Sequence, residues 1–528
     1  MLRGIFALFF RSLRGDTRSV WVHLSWLFLL LVIYVALWFA QEQSVYFGAP
    51  GREFFRSLIY LNAIFVTLLG VSYFSSAISE EKEEDTLGLM TMAGISPLGI
   101  LLGKSTTRLF QVFLLLAVQY PFTLLAITLG GLMPDQIYSA YAALLAYTML
   151  LANAGLLCSV LSRRSRDASG LTALLLIGYI FIPLFALIGL QVLMFPTGPI
   201  ANSPFWISVA PTLKPILAWI SNTSVFGQLY AVTETGYQFQ WTPQLISNSL
   251  GGLFFFLMSW WLFKYVSHEP ATEATTRAMV PKKTGRLGLL SAGRAWNLSL
   301  TWKDFHFIAG GWLSILIRCG LYIGLYGLAV AASFPWEQPR ESRQIRWQDV
   351  TYGYQIFVIP LFGVDCMLCA SRVFQEEIRH QTLASLLMLP RTVTHLVYTK
   401  AAGCLIGLIP GMIALVIAFF LLPGSIKNFT EAIQEPFAWW YVANLLLAIH
   451  LSVVFSLYMR WGAIATAFAL TVGSMMVSGM IIQFLQFQFR AGGMRPDSFL
   501  GFLVIPLLLA CACCHLVVLL RLPTLGEK

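Results

Sequence analysis

The sequence predicts an all-α polytopic membrane protein: about twelve transmembrane helices as two parallel six-helix repeats, with interfacial helices at the membrane surface. Three observations lead there. Of the 528 residues, 58% are hydrophobic and 11% charged, a balance far from that of soluble domains. Several apolar runs pass about 18 residues, the length that marks a candidate membrane-spanning helix. Finally, a polar stretch between two such runs occurs twice. EEKEEDTLGLMTMAGISPLGILLGK, Glu80 to Lys104, lies without a gap over EEIRHQTLASLLMLPRTVTHLVYTK, Glu376 to Lys400, once the numbering is shifted by 296. Glu80/Glu376, Glu81/Glu377, Thr86/Thr382, Leu87/Leu383, Met92/Met388 and Lys104/Lys400 are identical, and the same offset carries Arg164 onto Arg460.

In chain order, the apolar patch Ile5 to Phe10 is too short for a secretory signal core and is followed by Arg11, Arg14 and Arg18. It predicts an interfacial amphipathic helix over residues 1–18 that is retained in the mature chain. Six spans follow at 22–40, 58–79, 106–130, 137–161, 168–195 and 246–266, and they make the first unit, 1–266. Between the fifth and sixth lies a long segment, Pro196 to Gln244, with Pro199, Pro204, Pro211 and Pro215. It is expected either to be re-entrant or to lie on the outer surface. Residues 267–302 form a polar linker with Pro270, Pro281, Lys282, Lys283 and Arg286, ending in Trp302-Lys303-Asp304-Phe305, which reads as a second interfacial helix. The second unit, 303–528, holds spans at 312–334, 351–374, 401–422, 438–459, 462–488 and 498–520, and its outer segment is only Phe489 to Asp497. Six crossings return a chain to its starting side. The two units therefore share one orientation and are related by an axis along the membrane normal.

Charge sets that orientation. With the N-terminus inside, 25 of the 34 Lys and Arg fall in or beside cytoplasmic segments, which explains most of the net charge of +10. The chain is thus expected as a multi-pass protein of the inner, cytoplasmic membrane with both termini cytoplasmic. Nucleic-acid binding is disfavoured, because the positive charge is spread over short loops and not gathered on one face. Arg318, early in the seventh span, is expected to snorkel to the cytoplasmic headgroups.

Candidate chemistry is sparse. All eight cysteines fall in predicted helices; Cys366 and Cys369, and the cluster Cys511, Cys513, Cys514 and His515, read as polarizable packing residues more readily than as a redox pair or metal site. Gly99-Ile-Leu-Leu-Gly103-Lys104-Ser105 imitates a phosphate loop, but it is one residue short between the glycines, follows no strand and opens into a span. His268-Glu269 lacks the second His of a zinc motif, since Thr272 stands there. No catalytic, cofactor-binding or metal constellation survives on this chain.

The repeated stretch itself reads as a polar loop with a short amphipathic helix. Leu87, Met90, Gly94, Leu98 and Leu101 recur at helical spacing; Ser96-Pro97 restarts a helix, and Thr392 takes that cap position in the second copy. Pro390 supplies there the break that Gly94 supplies in the first. The acidic run Glu80 to Asp85 is explained blandly by the helix dipole, and more sharply as a docking surface for a cytoplasmic partner. A second span running into Glu-Glu, then Asp-Thr-Leu or Gln-Thr-Leu, a turn, and a Lys at the mouth of the third span resembles the ABC-2 type permease family of ATP-binding cassette transporters. The chain looks like two such six-helix permeases fused. The resemblance implies that each loop carries a coupling helix contacting a separate nucleotide-binding (ATPase) subunit, which would hold ATP and Mg. It places Glu80, Glu81, Thr86, Leu87 and Lys104, with Glu376, Glu377, Thr382, Leu383 and Lys400, at or beside that contact. The second copy departs in having Gln381 for the acidic residue and Ser385 for Leu89.

Two ionisable groups lie inside predicted spans, where each carries a solvation cost and wants a partner. Asp365 in the eighth span and His450 in the tenth have Leu69 and Ala154 at the corresponding first-unit positions. They could bond each other, hold substrate, or pair structurally with groups such as Asn444 or Gln483, and the structural pairing is favoured. The sequence is thus read as the permease subunit of an ABC exporter, with no enzyme activity of its own and an unspecified substrate. The alternatives are an ion-coupled secondary transporter using Asp365 and His450, and a non-transporting membrane scaffold.

Overall fold

The computed structural model describes residues 29–38, 50–194, 204–266, 294–333, 347–379, 381–420, 436–459, 463–489 and 497–526, with a few isolated positions before them. The expected interfacial helix at 1–18, most of the linker, and Arg460 lie outside the described residues. The chain divides into two compact units, Met1–Glu269 and Pro270–Lys528. Among the described residues nine helices are long and apolar enough to cross a membrane, and Val393–Gly407 with Ile409–Phe420 adds a tenth span bent by 59°. Shorter apolar helices, Leu29–Trp38 and Ala463–Gly479, occupy the places expected for the first and eleventh spans. All twelve expected positions therefore carry apolar helix.

In the first unit, α1 (Leu29–Trp38) and α2 (Pro50–Ser72) are followed by the short α3 (Ser79–Glu83) and α4 (Thr86–Met92). The long spans α5 (Pro97–Thr128), α6 (Pro134–Leu161) and α7 (Ser165–Met194) come next, and α10 (Pro243–Val266) closes the unit. The core is α6, the most enclosed of the candidate spans. Its sequence is rich in Ala, and small residues let helices approach closely where lipid gives no hydrophobic drive. Gly252 of α10 shows the fit: a Cβ there would lie 3.1 Å from the Met149 carbonyl oxygen of α6.

Between α7 and α10 stand α8 (Pro204–Ser221) and α9 (Val225–Val232). The Tyr179 hydroxyl, halfway along α7, donates to the Thr223 carbonyl at 3.2 Å and accepts from the Val225 amide at 3.0 Å. Gln136, at the start of α6, donates to the Val232 and Glu234 carbonyls, both at 2.8 Å. The turn between α8 and α9 thus stands beside the middle of α7, and the end of α9 lies against the start of α6. This arrangement fits the re-entrant placement; residues 196–203 lie outside the described residues.

The second unit repeats this order. The interfacial α11 (Ser299–Phe307) precedes α12 (Gly311–Ala332) and α13 (Trp347–Arg379); the short α14 (Leu383–Leu387) leads to α15 (Val393–Gly407) and α16 (Ile409–Phe420). Then come α17 (Pro436–Tyr458), α18 (Ala463–Phe489) and α19 (Asp497–Gly526). Here too the fourth span, α17, packs on the sixth, the second and the fifth. The bend between α15 and α16 has a local cause. Pro410 has no N–H to give to the turn before it, and the Arg318 guanidinium donates to the Gly407 carbonyl at 2.8 Å beside the break.

Candidate functional site

Each repeated loop folds as an elbow, and the elbows share their turn, their short helix and their cap. After the second span the chain passes through one left-handed residue, Asp85 at φ 53° in the first unit and Gln381 at φ 54° in the second, 296 positions apart. Few non-glycine residues adopt this region, so the coincidence is independent of the identities that suggested the repeat. The short helix α4 or α14 follows, and the next span starts from a side-chain cap. Ser96 Oγ accepts from the Gly99 amide at 3.2 Å and Thr392 Oγ1 from the His395 amide at 3.3 Å. The sequence-predicted caps are thus both made, satisfying an otherwise orphaned donor.

Beneath each elbow sits a carboxylate that ties three elements together. In the first unit Glu81 accepts from Thr86 Oγ1 at the start of α4 and forms an ion pair with Lys104 of α5. Its neighbour Glu80 pairs with Arg108 at 3.4 Å, and Arg108 donates to Ser76 Oγ at 2.8 Å and to the Tyr73 carbonyl. In the second unit Glu377 accepts from Thr382 Oγ1 and pairs with Lys400 of α15 at 3.1 Å. Lys400 also pairs with Asp304 of α11 at 3.0 Å, and Lys303 reaches Glu377 at 2.7 Å. The Lys400 and Asp304 side chains are fully buried. Burial pushes the Asp304 carboxyl above its ordinary range, with Lys400 and Lys303 pulling against it.

Leu87 and Leu383 point the same way. Leu87 packs with Ile78, Ile100, Leu101, Val160 and Phe263, and Leu383 with Val397, Leu457, Val518 and Leu522. The most exposed large hydrophobic side chains of the elbows are Met92, at 87%, Met388, at 84%, and Leu89, at 65%. Of the residues that the resemblance placed at or beside a partner contact, Glu81, Leu87, Glu377, Leu383 and Lys400 are therefore buried supports. Glu80, Thr86, Lys104 and Glu376 are half-buried, and Thr382 alone is exposed. The outermost identical pair, Met92 and Met388, was visible only as a match.

Residues 41–261 match one ABC-2 family transporter protein domain, and residues 311–481 match a second, different one. Both elbows fall inside matched segments. The chain belongs to the ABC-2 transporter family. It is a fused permease of two ABC-2 membrane domains, and the ABC-2 assignment makes it a membrane subunit of an ABC transporter. No curated protein matches the chain significantly.

Sequence reading missed the elbow partners Lys303, Asp304 and Arg108: the first two come from a segment remote in sequence, and Arg108, though only four residues past Lys104, has Cys404 at the corresponding second-unit position and so was not marked by the repeat. The one available signal was the Lys303-Asp304 pair within an otherwise aromatic stretch. The intramembrane groups need correction. Arg318 does not snorkel; its guanidinium pairs with Asp365 at 2.8 Å and lies 3.5 Å from Cys369 Sγ. Asp365 and His450 do not pair with each other. His450 Nδ1 lies 2.8 Å from its own-helix Leu446 carbonyl, and its ring faces His515 at 6.2 Å. Asn444 is taken by Ser474, whose hydroxyl donates to Asn444 Oδ1 at 2.7 Å. Asp365 is paired, but with Arg318, a partner the sequence did not suggest.

Proposed function

We propose that this ABC-2 permease is an exporter subunit of the inner membrane, with both termini cytoplasmic, energised by separate nucleotide-binding subunits that dock on the elbows at 80–104 and 376–400. ATP and Mg are expected on those subunits. The observation that carries the reading is the contrast within each elbow between an exposed methionine tip and a buried ionic root. A buried pair cannot be pulled apart cheaply, because separating it leaves an uncompensated charge. A push on Met388 is therefore passed through Thr382 and Glu377 to Lys400 and Asp304, so that the second span, the third span and the interfacial helix move as one body. A push on Met92 passes likewise through Thr86 and Glu81 to Lys104. A tip that a partner grips differently in its open and closed states is what coupling requires.

The ion-gradient alternative loses support, since Asp365 is held by Arg318 and stands apart from His450. The test is purification of the tagged full chain in mild detergent, with sequencing of what stays bound and an assay of ATP hydrolysis. An ATP-hydrolysing subunit bound at stoichiometric level is expected. Ion-driven transport by the chain alone, or a stable chain with no ATPase attached, would overturn the proposal.

A further inference from the structure

The two elbows share a frame but differ in charge: their sequences run acidic in the first and basic in the second, and among the described residues Glu84 and Asp85 are exposed beside the first tip and Arg391 beside the second. From Glu80 to Lys104 there are five carboxylates against two lysines; from Glu376 to Lys400, two carboxylates against two arginines and a lysine. The reversal is positional. Glu83, Glu84 and Asp85 stand where the second copy has Arg379, His380 and Gln381, and Ile95 stands where it has Arg391. Beside the first tip, Glu84 and Asp85 are exposed with Leu89 and Met92; beside the second, Arg391 is exposed with Met388 and Leu389. Other acids of the elbows are drawn inward. Glu81 and Glu377 are buried in their ion pairs, and Glu83 accepts from the Ser165 amide at 2.7 Å and the Ser165 hydroxyl at 3.1 Å.

A partner built from two identical ATPase domains offers the same groove twice. It would meet one elbow with complementary charge and the other with like charge, and like charges across an interface select against a partner. We propose that the two elbows dock into two different nucleotide-binding domains: the first into a groove with an apolar floor and a basic rim, the second into one with an apolar floor and an acidic rim. This rests on the docking reading above and fixes the kind of partner each elbow takes. The apolar floor receives Leu89 and Met92 in one case and Met388 and Leu389 in the other, while the rim sets which domain goes where.

The test places a photo-crosslinking benzoylphenylalanine at Leu89 or, separately, at Leu389 in the full chain, within its own cells, and sequences the adducts. Both positions are exposed, so the substitutions leave the buried roots intact. The expected result is two different ATPase domain sequences, each favoured by at least about tenfold at its own position. Replacing Glu84 and Asp85 together by Lys should shift the Leu89 adduct toward the domain captured at Leu389. One ATPase sequence captured equally at both positions overturns this inference and leaves docking intact. A lipid adduct at Leu389 with an ATPase adduct at Leu89 overturns it as well. Adducts with no ATPase at either position overturn the docking reading itself.

Discussion

The first and second elbows are the same lever fastened by different chemistry. In the first, the root is tied to the fourth and fifth spans by polar bonds. Lys82 Nζ donates to the Ser159 and Ser162 carbonyls at 3.4 and 3.0 Å, and Glu83 takes both donors of Ser165. In the second, Ile378 stands in place of Lys82 and packs with the cluster that contains Leu457. The ionic load is displaced instead onto Lys400, which serves Glu377 and Asp304 with no exposure to solvent. The lesson is that the carboxylate, threonine and lysine of each root are what the lever needs, whereas the attachment to the rest of the unit is free to vary.

That contrast can be broken most sharply at the lysines. Lys400→Met strands the Asp304 carboxylate in a dry site, while Glu377 keeps Lys303 and Thr382, and should cost about 3–5 kcal/mol. Lys104→Met leaves a pair that already touches solvent, at 18% and 10% exposure, and should cost about 2 kcal/mol. Unfolding of the detergent-solubilised full chain measures both, and equal losses would erase the distinction. The threonines should instead behave alike. Thr86→Val and Thr382→Val each remove one hydrogen bond to a carboxylate, at about 1.5 kcal/mol apiece in the same assay.

The caps are a second shared feature with a smaller effect. Ser96→Ala and Thr392→Ala should each cost about 1 kcal/mol, and hydrogen exchange at the Gly99 and His395 amides should rise with the loss. Smallest is the left-handed turn. Gln381→Gly should stabilise by up to about 1 kcal/mol, and Asp85→Gly by less, because a short Asp side chain tolerates that region better than Gln.

Much of this architecture was legible in the sequence, because the bilayer demands long apolar helices and the two copies hold their register. The caps at Ser96 and Thr392 and the break at Gly94, with φ at 74°, were readable because they depend on neighbours in sequence. The roots were readable only in part. Identity marked Glu81 and Glu377 but did not say whether they faced a partner or the interior, and Asp304 joins Lys400 across 96 positions. Arg318 misled for a related reason. Near the end of a span a headgroup and a buried Asp365 are equally good partners, and only tertiary packing chooses between them. The exposed methionines were visible only as an identical pair, since an apolar residue in a membrane protein attracts no notice until its surroundings are known.

The most direct measurement of the central claim is retention of the ATPase by the tagged full chain carrying Met92→Asp and Met388→Asp together. Both side chains stand clear of the buried roots, so the double variant should fold and melt as the native chain does. The account predicts that the ATP-hydrolysing partner is lost from the purified complex while the permease remains intact. A folded double variant that keeps its ATPase at native stoichiometry would contradict it.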